Sequence, residues 1–218
     1  MPDVESDILL KIRKESLWPI NKFIENYSED DLFDIIEFLH IHVSKPINAV
    51  WDGYLEINCC DEFDKAEGQK EFREKINEIL GAYIGKFELS KNGEILEKPK
   101  IGFEKIFKAD IPSNDEKVRQ RINSAIRLYR RHGATVDDRR HAVKDLIDVC
   151  ERLRSKVKSI LTKKDEQDLF NIANNFGIRH YNEIQKTDYD VNLWMRWMFY
   201  FYLATIHFCL RKIEHTKS

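Results

Sequence analysis

The stretch Leu193-Trp-Met-Arg-Trp-Met-Phe-Tyr-Phe-Tyr-Leu-Ala-Thr-Ile-His-Phe-Cys-Leu210 is apolar on almost every side when wound at 3.6 residues per turn. A helix with no polar face has to be buried, either at the centre of a bundle or across an interface between copies. The run free of formal charge, Trp197 to Leu210, covers only 14 residues, with Arg196 just before it. Crossing a bilayer takes roughly 20. The spacing therefore predicts a core helix over about 190–213, no membrane span, and a homodimer formed through this aromatic carboxyl-terminal helix.

Three further helices are expected around it. The first covers 115–132 and stops before Gly133. The second covers 136–161, with Val143, Leu146, Ile147, Cys150, Leu153, Val157 and Ile160 on one stripe. The third starts at a Thr162 cap, with Glu166 four positions on, and runs to Asn175. A polar link over 179–189 leads to the last helix.

The amino-terminal half reads differently. A helix over 6–27 is interrupted at Pro19, next to Trp18. Ser28 and Asp31 have capping-box spacing and open a second helix through Leu32, Ile35, Ile36 and Leu39, with Pro46 beyond its end. Residues 51–64 are weakly patterned, and 69–84 is helical through Phe72, Ile76, Ile79 and Leu80. Alternation over 86–96 around Asn92-Gly93 predicts a β-hairpin. Pro99, Gly102, Pro112, Ser113 and Asn114 mark a boundary near 113. The fold class is mainly α: an α+β domain with a small hairpin over 1–113 and a four-helix bundle over 114–218.

Charge follows the same division. The chain totals −2, but residues 1–114 hold 15 basic and 24 acidic side chains, and 115–218 hold 21 and 14. This excludes a uniformly basic protein and points to two parts with different partners. Cys59, Cys60, Cys150 and Cys209 form no C-x-x-C pair, which disfavours a disulfide framework or a zinc ribbon. Met1-Pro-Asp-Val-Glu5 lacks the form of a signal peptide, so a cytoplasmic location is expected.

Two places are able to carry chemistry. Between the last two helices lies Asn171-Ile-Ala-Asn-Asn-Phe-Gly-Ile-Arg-His-Tyr-Asn-Glu-Ile-Gln-Lys186. Gly177 permits a sharp turn that would present Arg179 and His180 together. Arg179 suits a phosphate, His180 moves protons near neutral pH, Asn182 positions a hydroxyl and Lys186 offsets developing charge. That set suits RNA cleavage by attack of its own 2′-hydroxyl, with no metal and no cofactor. The alternative is that these polar groups only cap helix ends.

The second place is basic. From Arg119 to Lys158 there are 12 basic and 5 acidic residues, and Arg127, Arg130, Arg131, His132, Arg139 and Arg140 form a candidate phosphate-binding patch. The alternatives are a solvated helical face, or a surface that docks on the acidic half of the same chain or of a dimer partner. His40 and His42 lack metal-pair spacing, and Cys59-Cys60-Asp61 with Asp64 is a loose cluster. His207 reads as a core histidine and His141 as a surface one. No glycine-rich phosphate loop, G-x-S-x-G elbow or H-E-x-x-H run is present.

The helical pattern over 115–213, with an Asn-Asn-Phe-Gly-Ile-Arg-His turn before Trp197-Met-Phe-Tyr-Phe-Tyr-Leu-Ala-Thr-Ile-His207, resembles the HEPN superfamily. More narrowly, it looks like the version found in bacterial abortive-infection proteins. Ser16-Leu-Trp18, the helix from Phe72 to Tyr83 and Leu89-Ser-Lys-Asn-Gly-Glu-Ile95 look like a domain often joined to such modules. The resemblance implies a dimeric helical bundle that binds RNA, with paired motifs at a shared cleft, and in many members a metal-independent endoribonuclease acting as toxin or antiviral effector. Its usual motif is Arg, four to six residues, then His, with a polar residue after the Arg. Arg179 and His180 occupy the first two positions, but 184–186 are Ile184, Gln185 and Lys186. Arg127-Leu-Tyr-Arg-Arg-His132 matches the spacing at the end of the first bundle helix, away from the expected turn. The alternative function is a non-catalytic HEPN-like module for binding, sensing and dimerisation.

Overall fold

Asp3 caps the first helix, α1 (Val4–Ile12), by accepting from the Glu5 N–H. The helix ends where Arg13 turns left-handed at φ 61°. The expected break at Pro19 therefore comes earlier, and Leu17 in the intervening loop is buried instead. Pro19 stands at the N-cap of a short second helix, α2 (Ile20–Phe23), followed by a 3₁₀ turn at Ile24–Asn26. The Ser28/Asp31 capping box is present and starts α3 (Glu29–His42). The computed structural model describes residues 3–54, 56–83, 86–158, 160–175 and 190–215.

Four short strands follow: β1 (Lys45–Ile47), β2 (Val50–Asp52), β3 (Ile57–Cys59) and β4 (Glu62–Asp64). β1 pairs antiparallel with β4, and β2 with β3. Lys45 faces Asp64 and Val50 faces Cys59, so one register runs through both pairs and the strands make a single ribbon. The weakly patterned stretch of the sequence is this ribbon. Next come α4 (Lys65–Ala82), capped by Asp64, and the expected hairpin, β5 (Phe87–Leu89) with β6 (Ile95–Glu97). Its turn closes through Ser90 N–H to Glu94 O and Gly93 N–H to Ser90 O, with Gly93 at φ 83°. That is a three-residue loop with a left-handed glycine, not the two-residue Asn-Gly turn.

Side chains of α3 and α4 cover the hairpin edges. Asn77 both donates to Leu89 O (3.0 Å) and accepts from Leu89 N–H (2.7 Å), and Glu37 accepts from Ile95 N–H (2.7 Å). These bonds satisfy backbone groups that would otherwise template association. Phe33, Ile36, Leu80, Leu89 and Ile95 form one core under the hairpin. Ile8, Leu17, Ile35 and Phe38 form another on the opposite side of α3.

The rest of the chain is helical: α5 (Glu104–Lys108), α6 (Glu116–Arg130), α7 (Val136–Arg152), α8 (Arg154–Val157), α9 (Lys163–Asn175) and α10 (Val191–His215). α7 opens on a Thr135/Asp138 capping box. The single helix expected over 136–161 breaks at Leu153, although Leu153 and Val157 both stay buried. Thr162 caps α9 through Asp165, not Glu166: Thr162 Oγ1 accepts from Asp165 N–H at 3.2 Å, and Asp165 accepts the Thr162 N–H. Glu166 turns inward to meet Arg154 Nε at 2.6 Å.

The chain divides into two compact units, Met1–Lys98 and Pro99–Ser218, so the expected boundary near 113 moves back by fifteen residues. The reason is packing. Ile106, Phe107 and Ile111 rest on the helical core, and Phe103 stacks on Tyr200 at 4.2 Å between centroids. The turn signals in 99–114 mark an arm of the bundle. The new boundary sharpens the charge division: Met1–Lys98 holds 12 basic and 22 acidic side chains, net −10, and Pro99–Ser218 holds 24 and 16, net +8. α10 sits in the middle of that core through Met195, Met198, Phe199, Tyr202, Leu203 and Ile206, yet Leu193 (59%), Trp197 (42%) and Phe208 (50%) stay exposed.

Candidate nucleic-acid interface

α6 buries Ile122, Ala125, Ile126 and Tyr129, and that periodicity decides which of its cations reach solvent. Arg127 and Arg131 are exposed. Arg130, four residues after Ile126, lies on the inner face, 8% exposed, with its guanidinium 5.3 Å from the Phe107 ring. His132 is buried as well, at 9%. Arg139 and Arg140, in the first turns of α7, are half-buried. The Arg139 guanidinium lies 5.9 Å from the Tyr129 ring, while Arg140 holds Asp137 at 2.7 Å. Tyr129 stacks on Phe199 at 3.8 Å, and its phenol is pushed up to about 12, chiefly by burial.

The six patch residues therefore do not form one wet surface. Arg127 and Arg131 are its exposed members, with Lys144 exposed on α7. Elsewhere the basic excess is partly spent on internal ion pairs. Arg121 meets Asp145 and Asp148 at 3.4 Å each, linking α6 to α7. Arg152 donates through Nε and Nη2 to Asp115 Oδ2, at 3.0 and 2.9 Å, and holds that carboxyl below its ordinary range. Arg154 joins Glu166, with its guanidinium 4.5 Å from the Phe170 ring. Asp148, one turn after Lys144 on α7, is engaged across helices by Arg121.

Two concavities adjoin these cations. A pocket of about 210 Å³ at the α6–α7 turn is lined by Leu128, Arg131, His132 and Asp138. A groove of about 710 Å³ is lined by Arg119, Arg152, Lys156, Asp115, Leu210 and Glu214 among others. Sequence reasoning missed this groove because its lining comes from α6, α7, α8, α10 and the segment before α6, which are spread along the chain. Arg119 also donates to Ser113 O and Glu116.

Arg179, His180, Asn182 and Lys186 lie outside the described residues. His207 is buried with neither ring nitrogen hydrogen-bonded, and burial, then Arg211, lowers its pKa. Cys150 and Cys209 are buried, and burial raises both thiols. Among the described residues no three His, Cys, Asp or Glu side chains are grouped to hold a metal ion, and no helix is long and apolar enough to cross a membrane. Comparison with protein-family models, curated proteins and solved structures finds no match to this chain. The chemistry on offer is exposed guanidinium and ammonium groups on a rigid helical support, which attract phosphate in a salt-dependent way.

Proposed function

We propose that the protein binds RNA through the outer surface of α6 and α7, with Arg127, Arg131 and Lys144 contacting phosphates. The supporting observation is the concentration of positive charge in Pro99–Ser218, net +8, together with the exposure of these three side chains. The resemblance of 115–213 to abortive-infection proteins extends the proposal to an antiviral or toxin role. In that role Arg179 holds the scissile phosphate, His180 moves the proton, and Asn182 and Lys186 assist, without metal. The homodimer in this reading forms through α10, whose Leu193, Trp197 and Phe208 remain exposed.

The second reading, binding without cleavage, is favoured by one observation: positions 184–186 hold Ile, Gln and Lys where the motif has histidine. One experiment separates the two. Labelled single-stranded RNA is titrated with protein in EDTA, and both anisotropy and strand integrity are recorded across a salt series. Binding should weaken with salt, and Arg127→Glu/Arg131→Glu/Lys144→Glu should flatten the log–log slope by about 2, at roughly 0.7 per lost phosphate contact. Cleavage by the wild type that Arg179→Ala abolishes supports the nuclease. Intact RNA with both proteins leaves the binding module, and no salt-sensitive binding ends both readings.

A further inference from the structure

The ribbon of β1–β4 breaks the ordinary rule for an ordered hairpin, since it buries neither face. Val50 (69%), Trp51 (61%), Tyr54 (93%), Ile57 (52%) and Phe63 (57%) are all exposed. The pairings Val50–Cys59 and Trp51–Asn58 put Val50 and Trp51 on opposite faces. The base of the ribbon is tied to α4. Gly68 of α4 lies so close to it that an added Cβ would sit 2.5 Å from the Lys45 nitrogen. A two-stranded ribbon is marginal in water unless something packs on it, and clustered exposed apolar side chains mark interaction surfaces.

Charge identifies what would cover it. Residues 45–64 carry five carboxylates, Asp52, Glu56, Asp61, Glu62 and Asp64, against the single cation Lys45. That lysine is already bonded to Glu71 of α4. A nucleic acid would be repelled. A second ribbon, or any part of a second Met1–Lys98 unit at net −10, would bring like charges together. The complementary surface is Pro99–Ser218, at net +8.

We infer that the ribbon is an acidic, aromatic docking arm, and that its occupant is the basic helical unit of a second copy of this chain. Trp51, Tyr54 and Ile57 supply apolar anchors and the carboxylates supply steering and register. Exchange of arms between two copies gives a closed, two-fold contact in which each acidic arm meets a basic unit. This goes beyond the RNA reading and adds a contact between copies that is separate from the α10 dimer of that reading.

The test uses the full chain without RNA. Sedimentation equilibrium up to about 100 μM is run from about 50 to about 500 mM NaCl, a range that removes most long-range attraction between exposed charges. The expected result is a dimer that weakens with salt, and whose dissociation constant rises about tenfold or more in Trp51→Glu and in Glu56→Lys/Asp61→Lys/Glu62→Lys. These side chains are exposed, and unchanged circular dichroism shows that the variants fold. Retention of the dimer in Trp197→Glu separates this contact from the α10 dimer. A photo-crosslinker on the exposed Cys59, in Cys60→Ser protein mixed from light- and heavy-nitrogen chains, should join the ribbon to peptides of 99–218 in the other chain. A monomer at every concentration, a dimer insensitive to both ribbon variants, or crosslinks confined to one chain or to residues 1–98 of the other would overturn the proposal.

Discussion

The two units of this chain hold themselves together in different ways. In Pro99–Ser218 one continuous core gathers side chains from α6, α7, α8, α9 and α10, and Met195, Met198, Phe199, Tyr202 and Leu203 are wholly buried. In Met1–Lys98 the apolar side chains split into two small clusters on either side of α3, Phe33 and Ile36 facing one and Ile35 and Phe38 the other. Polar clamps at Asn77 and Glu37, one left-handed glycine and a capped helix start carry more of the specification there. The contrast shows that a helix-rich chain of mixed charge can contain a unit stabilised by bulk burial beside one that depends on individual contacts.

The strongest way to break this contrast is to cut into the larger core. Phe199→Ala removes a ring stacked on Tyr129 and close to Phe107, and should cost about 3–5 kcal/mol. Amide exchange read peptide by peptide should show protection falling across α6, α7 and α10 while α3 and α4 keep theirs. Equal loss in both units would show that they unfold as one.

The next effect sharpens the picture of the smaller unit. Gly93 combines φ 83° with a backbone so close to His40 that a Cβ would lie 2.3 Å from Nδ1. Gly93→Ala should cost roughly 2 kcal/mol or more, from backbone strain and overlap together. His40→Ala/Gly93→Ala should recover the overlap part and leave the strain, which a double-mutant cycle by urea unfolding would measure.

A smaller, pH-dependent effect belongs to α3. Asp31 bonds Lys14 Nζ at 2.7 Å and the Ser28 hydroxyl at 2.6 Å; the lysine first and the serine second hold its carboxyl down to about 2, from 3.8. A lowered carboxyl pKa stabilises the fold above the unfolded value and loses that contribution as the proton returns. The contribution is therefore complete above about pH 4 to 5 and disappears as pH falls through 3.8 toward 2. Ser28→Ala should cost about 1 kcal/mol near neutrality and less in acid, where the cap loses its charged partner. A difference that grows in acid would overturn this assignment.

Local features were the legible part of the sequence. The Ser28/Asp31 box, the hairpin at Gly93 and the buried face of α10 all follow from residues within a few positions of one another. Features decided at long range were not legible. The Leu153 break between α7 and α8 is hidden because the apolar stripe continues through Val157. The arm 99–113 reads as a linker until Ile106 and Phe107 are seen against the bundle. The count of cations over 119–158 was plain, but not that Arg130 and His132 turn inward, since that depends on where Phe107 and the core sit. The ribbon was missed because its apolar residues satisfy no buried face, which is the signal that strand patterning relies on.

The smallest expected effect is also the most informative about that ribbon. Trp51 is a large aromatic side chain, and in either core its loss would cost several kcal/mol. At 61% exposure on a ribbon that buries neither face, Trp51→Ala should change the stability of the monomer by no more than about 0.5 kcal/mol. Measured by denaturant unfolding at submicromolar protein, a change of this size means that the side chain contributes little to its own unit. The same substitution at high protein concentration should then lower the unfolding midpoint, because a partner that binds only the folded chain adds stability by mass action. A loss independent of concentration would instead place Trp51 in the monomer's own packing and remove the ribbon from the list of surfaces that await a partner.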